Sequence, residues 1–232
     1  MNPRFISGEK LPIAKARNKG IKNAEGDKIV YLNVDTVFSD NLIESMGCLI
    51  GSGKFITAPV HYVSEQDLRR GIKYLTTHGN SEGINSGNFN TSRDSEYCQL
   101  FGMDKADFLS IGGFDERYDG FGINDEDFLT SVRSKDIDIQ YLEQPIFTKL
   151  REHYRCPLNH LLDFSRNSEI YRRKWKKYPC EAVLSRYAKE GFINKDFATK
   201  GIQIYSLPST TISQDLFYQR SSLATYMDKG GI

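Results

Sequence analysis

Two short apolar runs limit what this chain can become. KIVYL (28–32) is apolar, β-branched and too short for a buried helix, so it reads as a buried strand. KFITAPVHYV (54–63) reads as a second strand. A helical stretch precedes each. In IAKARNKGIKNAE (13–25), Ile13, Ala16, Ile21 and Ala24 recur near helical spacing, with an interruption or tightening expected at Gly20. Between the strands, Leu42, Ile43, Met46, Leu49 and Ile50 form the apolar stripe of a helix that starts after Ser39 and Asp40. Helix–strand–helix–strand order is the signature of an α/β sheet.

The rest of the chain extends this pattern. Residues 64–95 are polar, rich in Gly, Ser and Asn, and read as a long loop that could serve as a lid. YCQLFGMDKADFLSIGGF (97–114) reads as a strand and a short helix from Asp104 to Ile111, closed by Gly112 and Gly113. A further helix begins near Asn124 and Asp125. IDIQYLEQPIF (137–147) reads as a strand, and 161–190 as amphipathic helix. The last forty residues show no period. The expected division is a main domain over 1–185 and an extension over 186–232.

Composition excludes several classes. The net charge of +1 gives no global field for nucleic acid. Cys48, Cys98, Cys156 and Cys180 form no C-x-x-C pair, which argues against a zinc knuckle or a dithiol site and suits a reducing cytoplasm. No run of about 18 apolar residues predicts a membrane span, and the first residues lack the pattern of a secretory signal.

The chemistry gathers around YDGFGINDEDF (118–128), where Asp125, Glu126 and Asp127 follow a glycine-rich turn. One acid there caps a helix; three exceed that need. A carboxylate flanked by like charges in a cleft suits a general base. Gly120 and Gly122 would allow close approach of a substrate, and Phe121 offers a flat face to a sugar ring. Asp35 ends the first strand in NVD (33–35), where open α/β sheets bind ligands, and its hard oxygens suit Mg2+ or Mn2+. The same tripeptide also reads as a plain turn. His153 is a candidate metal ligand or a surface residue. In YRRKWKKY (171–178), the cations read as the wet face of a helix whose Tyr171, Trp175 and Tyr178 pack inward.

Three segments together resemble GT-A glycosyltransferases, in particular family 2 enzymes and the C-terminal half of β-1,4-galactosyltransferase-type proteins. AKARNKGIKNAEGDKIVYLNVD resembles the helix and strand leading to the D-x-D motif. FGMDKADFLSIGGFDERYDGFGINDEDF resembles the G-G-F-D-E … G-W-G-x-E-D block. NSEIYRRKWKKY resembles the N … KW segment that follows it. The resemblance implies an α/β GT-A fold, a Rossmann-like mixed sheet flanked by helices. It implies a metal-dependent, inverting transfer of a hexose or N-acetylhexosamine from a nucleotide sugar, expected to be a UDP sugar, to a saccharide hydroxyl.

Residue by residue, it makes Asp125 the catalytic base. Asp35 and His153 become ligands of Mn2+ or Mg2+, with His160 the alternative to His153. Arg17, Asn18, Asn33 and Asp35 fall on the donor side. Phe121, Gly122, Asn124, Asp125 and Glu126 fall on the acceptor side. Asn33 stands in place of the first D-x-D aspartate, Asn124 in place of the glutamate, and Phe121 in place of the tryptophan. The first βαβ unit of such a fold has no counterpart before the AKARN helix. That implies a fragment, a natural truncation, or a chain completed by a protein partner. Two rivals remain: a non-catalytic relative that binds sugar or a partner transferase, and a nucleotidyltransferase, which would want a glycine-rich phosphate loop absent here.

Overall fold

A computed structural model describes residues 12–78, 98–149 and 158–208. Helix α1 (Ile13–Asn23) runs unbroken through Gly20 and leads into β1 (Lys28–Leu32). A two-residue strand β2 (Thr36–Val37), unforeseen in the sequence, follows the NVD turn, and α2 (Leu42–Leu49) comes next. The run 54–63 is two strands, β3 (Lys54–Thr57) and β4 (Val60–Val63). Part of the expected loop is helical, in α3 (Glu65–Arg69) and α4 (Ile72–His78), where Ser64 caps α3 by accepting from the Asp67 N–H. Strand β5 (Leu100–Asp104) enters α5 (Lys105–Ser110), and α6 (Asn124–Ser134) follows the glycine-rich turn. Residues 137–147 also divide, into β6 (Asp138–Tyr141) and β7 (Ile146–Lys149). Helices α7 (Leu161–Trp175), α8 (Glu181–Lys189) and α9 (Phe197–Lys200) complete the order.

The architecture is mixed α/β. One sheet has the order β1-β5-β3-β6, antiparallel except for the parallel β3–β6 pair; the other has the order β2-β7-β4. The two expected strands split at the same place for a shared reason. They run side by side, Lys54 opposite Asp138 through Thr57 opposite Tyr141, and resume as Val60 opposite Ile146 through Val63 opposite Lys149. Between the pairings one chain spends two residues and the other four. Pro59 and Pro145 sit in these breaks, where a missing N–H and a fixed φ end a ladder. The join still holds, because Leu142 donates to the Thr57 carbonyl and Ile146 to the Pro59 carbonyl, both at 2.8 Å.

Phe128 of α6 centres the larger core. Its ring stacks on Phe114 at 4.2 Å and packs against Phe101 at 5.3 Å, Phe108 at 5.6 Å and Phe55 at 6.2 Å. This fixes α6 against the four-stranded sheet by aromatic area and offset geometry. A second cluster joins Tyr118 and Ile123 to Leu161, Phe164, Tyr171, Tyr178, Leu184, Tyr187, Phe192 and Phe197. Residue 185, the expected domain limit, falls within α8, and residues on both sides of it belong to this cluster. Among the described residues, no helix is long and apolar enough to cross a membrane. Phe128→Ala should cost about 3–5 kcal/mol by urea unfolding, the range for a large buried aromatic truncated to a cavity.

Candidate functional site

The site is built where α1, β1 and the start of α6 meet. Arg17 of α1 forms an ion pair with Asp125, whose bonded atom is Oδ1, and donates from Nε to the Tyr31 hydroxyl at 3.0 Å. The guanidinium lies 4.8 Å from the ring centroids of both Tyr31 and Phe114. Two aromatic faces and one carboxylate therefore hold a single cation. Both side chains are largely shielded, at 12% and 14% exposure. Burial opposes the charge on Arg17, but Asp125 beside it, with Tyr31 and Cys98, raises its pKa above the ordinary value.

Asn18, the next residue, points to the glycine-rich segment. Its amide donates to the Phe114 carbonyl at 2.8 Å and to Glu116 Oε1 at 2.9 Å, and its Oδ1 accepts from the Phe114 N–H at 2.9 Å. Both amide hydrogens are thus committed to positioning the turn. At Gly113, φ is +65°, and a Cβ would meet Asn18 Oδ1 at 2.7 Å, so glycine is required there.

The three acids do not act as a cluster. Successive helical residues lie about 100° apart around the axis, so they point to different surroundings. Asp125 faces Arg17, and the expected like-charge flank gives way to a cation. Asp127 is fully buried. It accepts from Tyr118 Oη at 3.0 Å, Trp175 Nε1 at 2.7 Å and Lys174 Nζ at 2.7 Å. Burial, and then Asp127, push the Tyr118 phenol pKa up. Asp115 adds a second anchor to Lys174 at 3.5 Å and pairs with Arg117. Hydrogen bonds from Arg117 lower the Asp115 pKa to about 2, against the opposing effect of its partial burial.

The turn 119–122 is held from α7. Asn167 donates to the carbonyls of Asp119 at 2.9 Å, Gly122 at 3.1 Å and Phe121 at 3.2 Å. Asp163 accepts from the Phe121 N–H at 3.3 Å. The glycines serve this packing rather than an open approach: a Cβ on Gly120 would collide with the Asp163 carboxylate, and one on Gly122 would meet Phe164 at 2.9 Å. Ile123, at φ +71°, is a β-branched residue in the left-handed region, a strained entry to α6 that its burial in the second cluster sustains. One face of Phe121 is already covered, since His160 stacks on it at 4.5 Å and 15°. This gives His160 a packing role.

Asn33, Val34 and Asp35 form a turn after β1. Thr36 donates to the Asn33 carbonyl at 3.1 Å, and the Asn33 amide donates to Gln99 Oε1 at 2.7 Å. Val34 is 94% exposed and Asp35 partly so. Tyr31 touches Arg17 and lies four residues before Asp35, so at most about 14 Å of chain separates them. The Asp125 and Asp35 regions therefore share one end of the sheet. His153 lies outside the described residues. Among those described, no three His, Cys, Asp or Glu side chains gather as a metal cage. A single carboxylate still fits a hydrated Mg2+-like ion held mainly by substrate phosphates. Asn124 is buried with its Oδ1 unpaired, and Glu126 is partly exposed.

Sequence reasoning missed Asp127, Asn167, Lys174, Tyr31 and Phe114 as parts of this site. The signal for two of them was present: Asn167 and Lys174, with Trp175 beside them, are the letters of the N … KW segment, the weakest of the three resemblances.

Known proteins give the following comparisons. A family model described as "Glycosyl transferase family 2" matches residues 4–108, and one described as "N-terminal domain of galactosyltransferase" matches residues 83–155. No curated protein matches the sequence. A solved structure of GalNAc-T7 with UDP, GalNAc and Mn2+ is similar, with 10% identity and a TM-score of 0.47, over 80% of this chain and 43% of that one. The chain thus spans less than half the length of that protein.

Two outcomes check the site's construction. Asp127→Ala leaves the buried Tyr118 hydroxyl and the part-buried Trp175 N–H without their acceptor and should cost about 1–3 kcal/mol in chemical unfolding. Asp115 has a depressed folded pKa, so its contribution is present above pH about 4, the unfolded value, and is lost as pH falls through about 2. Arg117→Gln should therefore lower stability near neutrality, with the deficit closing in acid.

Proposed function

We propose, for a chain that carries a GT-A glycosyltransferase family 2-like fold, that it transfers a hexose or N-acetylhexosamine from a nucleotide sugar, a UDP sugar first among them, to a saccharide hydroxyl. The observation that carries this reading is the setting of Asp125. A carboxylate at the start of α6 is fixed through Oδ1 by a cation that two aromatic rings immobilise. Its Oδ2 is left to receive the acceptor proton, so the base is oriented before substrate arrives. The deprotonated acceptor oxygen then attacks the anomeric carbon opposite the leaving diphosphate, whose glycosidic bond breaks, and the centre inverts.

Asp35, with His153, would hold Mn2+ or Mg2+. The ion, when bound, supplies charge neutralisation to the leaving nucleoside diphosphate. Arg17 and Asn18 act in this scheme through the groups they hold. Asn33 and Asn124 flank the donor and acceptor carboxylates, and Phe121 offers its uncovered face to the acceptor sugar. A competing reading, a non-catalytic protein that binds sugar or a partner transferase, draws on the same ion pair, which already engages Asp125.

The test is thermal unfolding with Mn2+ and UDP-hexoses or UDP-N-acetylhexosamines, followed by a product assay. A nucleotide sugar at 100 times its Kd should add about 2.7 kcal/mol of stability. Asp35→Ala should abolish the shift, whereas Asp125→Asn should keep it and remove transfer. No shift with any nucleoside diphosphate or its sugars overturns the enzyme reading. A shift without transfer in the unaltered chain favours the non-catalytic one.

A further inference from the structure

Three side chains from one side of α7 converge on a single residue of the glycine-rich turn. His160, just before the first turn of α7, and Asp163 and Asn167 within the helix lie at i, i+3 and i+7. All three meet Phe121. Asp163 Oδ2 accepts from its N–H at 3.3 Å, Asn167 Nδ2 donates to its carbonyl at 3.2 Å, and the His160 ring lies on its ring at 4.5 Å and 15°. The same Asp163 oxygen lies 3.8 Å from His160 Nδ1, so one carboxylate addresses both the backbone of Phe121 and the ring that backs it.

This is more restraint than core packing asks for. Phe121 belongs to none of the apolar clusters among the described residues, and it stays partly exposed. A phenylalanine that serves only the core is buried, as Phe114 and Phe128 are. Here the N–H, the carbonyl and one ring face are each held, which leaves the other ring face as a flat surface fixed in advance. An aromatic side chain held before a ligand arrives loses little freedom on binding, so its contact area converts to affinity more fully than that of a mobile one.

We propose that His160 is a positioning residue for the acceptor: it backs Phe121 and, with Asp163 and Asn167, presents the open face of that ring to the C–H face of a hexose or N-acetylhexosamine. His160 acts through Phe121 and does not touch the sugar. Its ring sets the plane of the platform, and Asp163 keeps the imidazole and the Phe121 backbone in register. This role assigns His160 to the acceptor side and not to a metal ion. The inference rests on the glycosyltransferase reading for what the sugar is doing there, not for its binding.

The experiment is an NMR titration of the full chain, with Mg2+ and UDP present, that follows the Phe121 and Gly122 amides. The probes are methyl β-glucoside, methyl β-galactoside and methyl β-N-acetylglucosaminide, and at least one should bind. His160→Ala should weaken that glycoside about fivefold, the scale of an aromatic stack. His160→Phe keeps a flat ring and should restore affinity to within about twofold of the unaltered chain, whereas His160→Gln, polar but without a ring, should not. The His160 side chain is 38% exposed, so these variants should fold, and equal melting temperatures check that. The UDP thermal shift with Mn2+ should survive in all three. Four results overturn the proposal: no glycoside binds, His160→Ala leaves affinity unchanged, His160→Phe fails to restore it, or His160→Ala abolishes the UDP shift. The nucleotide-sugar thermal shift separates the two claims. A shift without glycoside binding sinks the platform alone, and glycoside binding that depends on the His160 ring, without a shift, supports the platform while sinking the transferase reading.

Discussion

The buried carboxylate of Asp127 is the interaction on which the candidate site depends. A charge removed from water is tolerable only when donors replace the water, and here three do: a phenol, an indole and an ammonium. They come from two separate parts of the chain. Tyr118 opens the glycine-rich turn, and Lys174 and Trp175 end α7. Satisfying one carboxylate therefore fixes the turn, the helix that follows it, and the helix that packs across both.

The same logic of shared fixation runs through α1. Adjacent residues, Arg17 and Asn18, take different tasks because they leave the helix in different directions. Arg17 reaches Asp125 between two rings, and Asn18 closes on the backbone of the turn. Asp125 is thus approached from its own helix, which sets its position, and from α1, which sets its orientation. The strained backbone at Ile123 lies between these constraints, where the surrounding structure can sustain it.

Much of the scaffold was legible. The period of apolar residues located α1, β1 and α2, and the glycine pair after α5 marked its end, because these signals depend on neighbours a few residues apart. The breaks in the runs 54–63 and 137–147 were less legible. Each contains a proline, but only the pairing of the two runs shows that both must bend together. The helices within 64–95 were hidden by a polar composition that suits loops as well as exposed helices.

The sequence by itself determined the alternation of helix and strand, the glycine-rich turn before α6, and the placement of a carboxylate at the end of β1 and another at the start of α6. Those are local properties, set by side-chain spacing and backbone preference. Only the tertiary structure decided which acid of Asp125, Glu126 and Asp127 faces a cation beside the sheet and which is sealed in the core. It decided too that Gly120 and Gly122 make room for Asp163 and Phe164. The reason is physical: a helix turns by about 100° per residue, so adjacent acids meet different environments, and those of Asp125 and Asp127 are supplied by Arg17 and by Tyr118, Lys174 and Trp175 from other parts of the chain.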